Sequence, residues 1–399
     1  HICVTVIRRK MEEARSRHLP ETKANSGAIS CSCGVLCGPL DMYIAHIERQ
    51  CPELPKDPSG WASRCFQFLP DTNRVQRGVI AKNTFNYSFY VPIKLKAIPE
   101  PNPFLQLVAK VPKLCDDLKL AQAPCTIAIR GQIWASLGGK CPENLKSQFV
   151  NKKAYDGDNK VLFPAMDVDI IGIFKNNSLE DAEALADKFI DLFQPYTKVQ
   201  PRIHRGFTYG GGKDLTGFVD GTNNFDETLR HLCKLCVMGG DSALEHPEDT
   251  HHGSTLFFAI FNHNLQSFSK MSTRDKSRSI GREYGVEKAM KGRDRRVENP
   301  RLGKDVSLQG HIFKAWGDMY RQSYPFCEAD EEIKGIQHRK KFIDGISKAK
   351  PNEIKSKRKG LCFAAYSHDI SHIDNALERM CGKWDKSRDL LFQFSTCVG

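Results

Sequence analysis

The run Val168-Asp-Ile-Ile-Gly-Ile-Phe174, with Lys175-Asn-Asn-Ser178 and then Leu179 to Leu192 behind it, holds a strand, a polar turn and a helix in one stretch. The short apolar run ending at a polar cluster reads as a strand. Ser178 is placed to cap the helix that follows, and Leu185, Phe189 and Leu192 recur at three- and four-residue spacing as its apolar stripe. Upstream, Thr126 to Arg130 is another short strand. Before it, Phe104, Val108, Val111, Cys115 and Leu118 recur at helical spacing, so one helix is expected after Pro103. Earlier still, Phe85, Tyr87, Phe89 and Val91 alternate with other residues, the period-two signal of a half-buried strand.

This order of elements is that of an α+β ferredoxin-like sandwich, with helices on one face of an antiparallel sheet. The theme returns downstream. Ser254 to Phe261 reads as a strand, Leu265 to Arg282 as mainly helix, and Leu361 to Tyr366 as a strand. Asp369 then caps a helix whose Ile370, Ile373, Leu377 and Met380 face inward. The chain divides into an N-terminal extension at 1–76, a first ferredoxin-like half at 77–223 and a second at 224–399, with a basic insertion at about 327–359. Two similar halves meeting across a crevice make a natural cofactor site.

Composition narrows the function classes. At 399 residues with 40% hydrophobic and 27% charged side chains, the chain is long enough for two packed cores and is not disordered as a whole. Apolar runs such as Leu256 to Phe261 fall far short of the ~20 residues that span a bilayer, so no membrane span is expected. The net charge of +12 could signal nucleic acid, but much of the excess lies between Lys334 and Lys359, where Phe342 is the only aromatic residue. Without interleaved stacking side chains this stretch reads as a solvated loop and not as a nucleic-acid site. The 15 cysteines are scattered and odd in number, which favours reduced thiols in an intracellular compartment, cytoplasmic or organellar. Cys31, Cys33 and Cys37, and the C-x-x-C of Cys233 and Cys236, lack a matching ligand pair at zinc-site spacing. The start at His1, without methionine, reads as a processed or truncated one.

Chemistry concentrates after Leu215. In Leu-Thr-Gly217-Phe-Val-Asp220-Gly221-Thr222-Asn223, Asp220 sits on a loop between an apolar run and a glycine. By itself Asp220-Gly221 reads as a turn, since glycine accepts positive φ and aspartate bonds its own backbone. Other segments follow in order: His204-Arg-Gly-Phe207, Asn262-His-Asn-Leu265, Ile280-Gly-Arg282, Arg321-Gln-Ser-Tyr-Pro-Phe326, Gly360-Leu-Cys-Phe-Ala-Ala-Tyr366 and Arg388-Asp-Leu-Leu391. Taken together, these segments and the G-x-x-D-G run resemble the dye-decolorizing peroxidases, in particular their compact bacterial members, over about residues 77 to 399.

The resemblance implies a fold of two ferredoxin-like halves, like a dimeric α+β barrel, enclosing haem b. It implies an oxidoreductase that uses hydrogen peroxide to oxidise a small aromatic or phenolic electron donor through an oxidised iron-oxo intermediate. His311 is the expected axial ligand of the iron, with His263 as runner-up and read as structural. Asp220 is expected to act as distal acid–base group and Arg321 as the distal cation that offsets developing negative charge. Leu361 and Phe363 are expected to keep the pocket narrow and dry, and Gly221, Thr222, Asn223 and Arg282 to lie along the haem edge. Trp316 and Tyr320 are candidate electron relays. The spacing from His311 to Arg321 is shorter than in the family, the basic insertion stands where the family has a short turn, and the chain ends where the family continues into a final strand. Two other readings stay open: a haem-handling protein without turnover, and a haem-free structural subunit. Homo-oligomerisation is left open.

Overall fold

The computed structural model describes residues 2–4, 29–30, 36–37, 75–81, 84–118, 120, 123–140, 151–220, 224, 229–238, 252–285, 310–315, 317–330 and 333–398. The expectations placed on Gly221, Thr222, Asn223, Cys31, Cys33 and Trp316 lie outside these residues, as does most of the 1–76 stretch.

One nine-stranded antiparallel sheet organises the chain. Its strands, in chain order, are β1 (Ile2–Val4), β2 (Tyr87–Ile93), β3 (Cys125–Arg130), β4 (Ile170–Asn176), β5 (His204–Phe207), β6 (Ser254–His263), β7 (Tyr320–Glu328), β8 (Arg358–Ser367) and β9 (Ser395–Cys397). In space they run β1-β3-β4-β2-β5-β7-β8-β6-β9. β1 pairs with Ile129 and Arg130 on one side and with Ser254 to Leu256 on the other, so the sheet curls back on itself. β5 and β7 meet at its middle, where Phe326 of β7 pairs with Gly206 of β5.

Alternation along the strands builds two cores. Tyr90, Ile171, Ile173, Phe258, Ile260, Ala364 and Tyr366 share one buried cluster with Leu232, Cys233 and Cys236. These last residues belong to α3 (Leu229–Cys236). Burial pushes the Cys233 thiol up to about 12, against its use as a thiolate.

The opposite face carries the other core. In the first half it is covered by α1 (Pro101–Val108) and α2 (Leu179–Phe193). Ser178 caps α2 by accepting from the Asp181 N–H at 3.2 Å, and Leu185, Phe189 and Phe193 are buried beneath it. Gly172 is required by this packing, because a Cβ there would lie 2.8 Å from the Phe189 ring. The single helix expected from Phe104 to Leu118 is interrupted after Val108. Pro112 has no N–H to donate, and the chain continues as a 3-10 turn at Val111–Lys113.

In the second half the same face is covered by α4 (Leu265–Lys270), α5 (Thr273–Ile280), α6 (His311–Lys314) and α8 (Ile370–Met380). Asp369 caps α8 at the predicted position, accepting from the Ser371 N–H at 2.9 Å. The basic stretch contains α7 (Ile336–Lys348), which buries Ile343 and joins α2 through a 2.6 Å ion pair from Arg339 to Glu183. The reading as a solvated loop therefore fails for residues 336–348, whose Ile336, Ile343 and Ile346 turn toward the core.

Candidate active site

The four short helices of the second half do not fill the space beneath β6, β7 and β8. A cavity of about 1020 Å³, its mouth included, remains, lined among others by Asp220, Arg282, His311, Arg321, Leu361 and Phe363. The predicted site residues that fall among the described ones thus come together at a single cavity. Phe163, Phe257, Phe261 and Phe363 form an aromatic wall, with ring centroids 6.2 Å apart for Phe163–Phe257 and Phe257–Phe363. Leu377, Met380 and Leu391 continue the apolar lining.

Asp220 is positioned by a tight loop. Gly217 has a φ of 93°, a left-handed value that glycine adopts without strain, and its N–H donates to the Asp214 carbonyl at 3.0 Å. The Asp220 N–H then donates to the Gly212 carbonyl at 2.8 Å. Within the loop, Asp214 accepts from the Thr216 N–H at 2.7 Å. Burial raises the Asp214 carboxyl, with Thr216 and Arg282 opposing the shift.

The Asp220 carboxylate accepts a hydrogen bond from Ser323 Oγ at 2.6 Å. Ser323 stands two residues after Arg321 on β7, so both side chains face the cavity. Arg321 is 8% exposed and donates to three carbonyls, Ala315 at 2.7 Å, Met319 at 3.1 Å and Gly317 at 3.3 Å. Burial pushes its pKa down to about 10, with Arg379 adding to the shift and Asp318 opposing it. Its guanidinium thus caps the turn after α6. The Asp220 charge is felt instead by Arg282, whose pKa burial lowers and whose Nη1 donates to the Val219 carbonyl at 2.8 Å.

Asn224 was not singled out from the sequence. It holds the Arg321 backbone from both sides, donating to its carbonyl at 2.7 Å and accepting from its N–H at 3.1 Å.

His311 begins α6 and lines the cavity. Its Nδ1 lies 2.8 Å from Asp389 Oδ2, and the Asp389 side chain is fully buried. Asp389 is itself held, because Oδ1 accepts from the Leu391 N–H at 2.8 Å. α6 is anchored by Lys314, which reaches Asp385 at 2.6 Å and the Ser387 carbonyl at 2.8 Å. A buried carboxylate behind Nδ1 favours the tautomer with its proton there and leaves the Nε2 lone pair bare, an arrangement that could hold a metal. The sequence singled out His311 but not its carboxylate partner, which lies 78 residues away. Tyr320 is fully buried, with its hydroxyl donating to the Ala81 carbonyl at 3.0 Å.

Among the described residues there is no helix long and apolar enough to cross a membrane. Residues 212–399 match the family "Dyp-type peroxidase, C-terminal". Several solved structures share the fold. The dye-decolorizing protein from Vibrio cholerae is 18% identical with a TM-score of 0.60, covering 80% of this chain and 93% of its own. The encapsulated DyP-type peroxidase from Mycobacterium smegmatis is also 18% identical, with a TM-score of 0.61 and coverage of 83% and 93%. A variant of DypB from Rhodococcus jostii in complex with heme is 17% identical, with a TM-score of 0.57 and coverage of 78% and 90%.

Proposed function

We propose that this chain, whose residues 212–399 match the Dyp-type peroxidase C-terminal family, is a peroxidase of that family that uses hydrogen peroxide to oxidise aromatic or phenolic donors with haem b held by His311. The observation that carries this reading is the His311–Asp389 pair, 2.8 Å apart, on the same cavity as the Asp220–Ser323 pair. The residues present fit the group. An apolar cavity with aromatic walls accepts a flat macrocycle, and one carboxylate-backed imidazole is the donor that a haem iron takes. When bound, haem supplies the iron at which the peroxide O–O bond is split and stores the oxidising equivalents passed to the donor.

The chain's own groups do the rest. His311 presents Nε2, and Asp389 accepts the Nδ1 proton, which makes the imidazole a stronger donor. Asp220 takes a proton from the inner oxygen of peroxide and returns it to the outer one. Ser323 fixes the Asp220 carboxylate for that transfer. Arg321, whose Nη1 and Nη2 are held by carbonyls while Nε has no partner among the described residues, acts as a fixed cation whose field lowers the cost of developing negative charge. Leu361, Phe363 and the phenylalanine wall exclude bulk water, and Arg282 offers a cation to the haem edge.

An absorption spectrum of the full chain reconstituted with haem, before and after one equivalent of hydrogen peroxide, tests the proposal. The Soret band of ligated haem is expected in the unaltered chain and lost in His311→Ala. The peroxide-induced spectral change is expected to slow by about 10²–10⁴-fold in Asp220→Ala. No Soret band in the unaltered chain would move the protein to a haem-free role, and a band inert to peroxide would make it a haem binder.

A further inference from the structure

His263 is a buried polar group of the cavity that the roles above leave unused. It ends β6, is 6% exposed and lines the cavity. Its Nδ1 lies 2.9 Å from Ser395 Oγ on β9, whereas Nε2 is shut off from solvent with no hydrogen-bond partner. Burial pushes the imidazole down to about 4, a shift that the Asp220 charge opposes, so the ring is neutral at neutral pH. A neutral imidazole has one N–H and one bare nitrogen, and an unmet buried polar atom is costly. The cavity lining is mostly apolar, with Phe261 and Leu391 among its walls, and its acceptors Asp220 and Ser323 are bonded to each other. A molecule bound in the cavity can supply the missing partner.

A porphyrin is apolar over its faces and carries its polar groups on its edge, as carboxylates. Resting on the haem reading, we infer that His263 is a haem-binding residue whose Nε2–H donates to one of those carboxylates, with Arg282 supplying the positive charge. Ser395 sets this up by donating its hydroxyl proton to Nδ1, which leaves the ring hydrogen on Nε2. Arg282 and His263 both line the cavity, and both feel the Asp220 charge. The pair combines one charged and one neutral donor, so a carboxylate is held without adding a second buried cation.

Two probes separate this role from simple packing: haem and its dimethyl ester, which has the same ring but no carboxylate. Each is titrated into the haem-free full chain and followed at the Soret band. His263→Phe is expected to weaken haem binding by about tenfold or more while leaving the ester within about twofold. His263→Gln, which keeps a donor, recovers part of the loss, and Ser395→Ala weakens haem preference by a smaller factor. Equal losses for both probes, or no loss for haem in any of the three variants, would overturn the assignment. Uptake of neither probe by the unaltered chain would instead overturn the haem reading on which it rests.

Discussion

In the first half of the molecule one long helix, α2, lies across β2 and β4 and fills the groove with Leu185, Phe189 and Phe193. In the second half the equivalent face is roofed by α4, α5, α6 and α8, and a cavity remains. The rings under α2 and those on the cavity wall record the difference. Phe174 and Phe189 stand 5.2 Å apart and Phe189 and Phe193 4.8 Å, whereas Phe257–Phe363 and Phe261–Phe363 are 6.2 and 6.4 Å. A strand-and-helix plan can be closed by a continuous helix into a solid core, or by interrupted helices into a pocket whose polar groups come from helix starts and loops. His311 opens one such helix, and Asp220 ends one such loop.

The largest effect that would test this contrast is on stability. Phe189→Ala removes a fully buried ring from a tightly packed site and is expected to cost about 3–5 kcal/mol in urea unfolding of the haem-free chain. Phe363→Ala, on the wall of an existing cavity, should cost less than about 2 kcal/mol, because fewer atoms lose a contact. Equal costs would mean that the second half is packed as solidly as the first.

Asp389→Ala sharpens the comparison from the pocket side. Loss of the carboxylate behind His311 should weaken haem retention by about 10–100-fold, measured as transfer to an excess of a haem acceptor protein. Phe189→Ala should leave retention nearly unchanged wherever the chain remains folded. A weaker hold in Phe189→Ala than in Asp389→Ala would show that the two halves are not separable in this way.

The parts legible in the sequence were those governed by local chemistry. Ser178 before α2 and Asp369 before α8 are caps with an apolar stripe behind them, and both helices start where the sequence places them. β7 was legible only as a motif, since Tyr320 to Cys327 is buried on both faces and contains Pro325, which leaves no alternation to read. α7 had a usable signal in Ile336, Ile343 and Ile346, hidden by the charge around it. Site roles followed the same division. Asp220, Arg282, Arg321, Leu361 and Phe363 came from motif segments and His311 from its place between Arg282 and Arg321, and all line the cavity. Asp389 and Asn224 act through partners 78 and 97 residues away, and that pairing exists only after the sheet has formed. The preference of Asp220 for Ser323 and of Arg321 for carbonyls depends on side-chain direction across one strand, which spacing alone does not supply.

The smallest expected effect lies on the solid half, at the contact between α2, β5 and α7. Glu183 accepts from Arg205 at 2.7 and 3.0 Å and pairs with Arg339 at 2.6 Å. Burial raises its carboxyl pKa, but the two guanidinium groups outweigh burial and hold it below the ordinary glutamate value. A group whose folded pKa is depressed contributes stability above its unfolded value, near 4.3, and loses it as pH falls through the folded value. Glu183→Gln should therefore cost about 1–2 kcal/mol at pH 7, modest because both arginines stay partly solvated. The gap to the unaltered chain should close as pH drops below about 4. Haem retention should not change, since no member of the cluster lines the cavity. Unfolding curves at a series of pH values check both statements: a gap constant with pH would mean that Glu183 acts by packing and not by charge. A loss of haem in the same variant would mean that the basic helix reaches the pocket through the sheet.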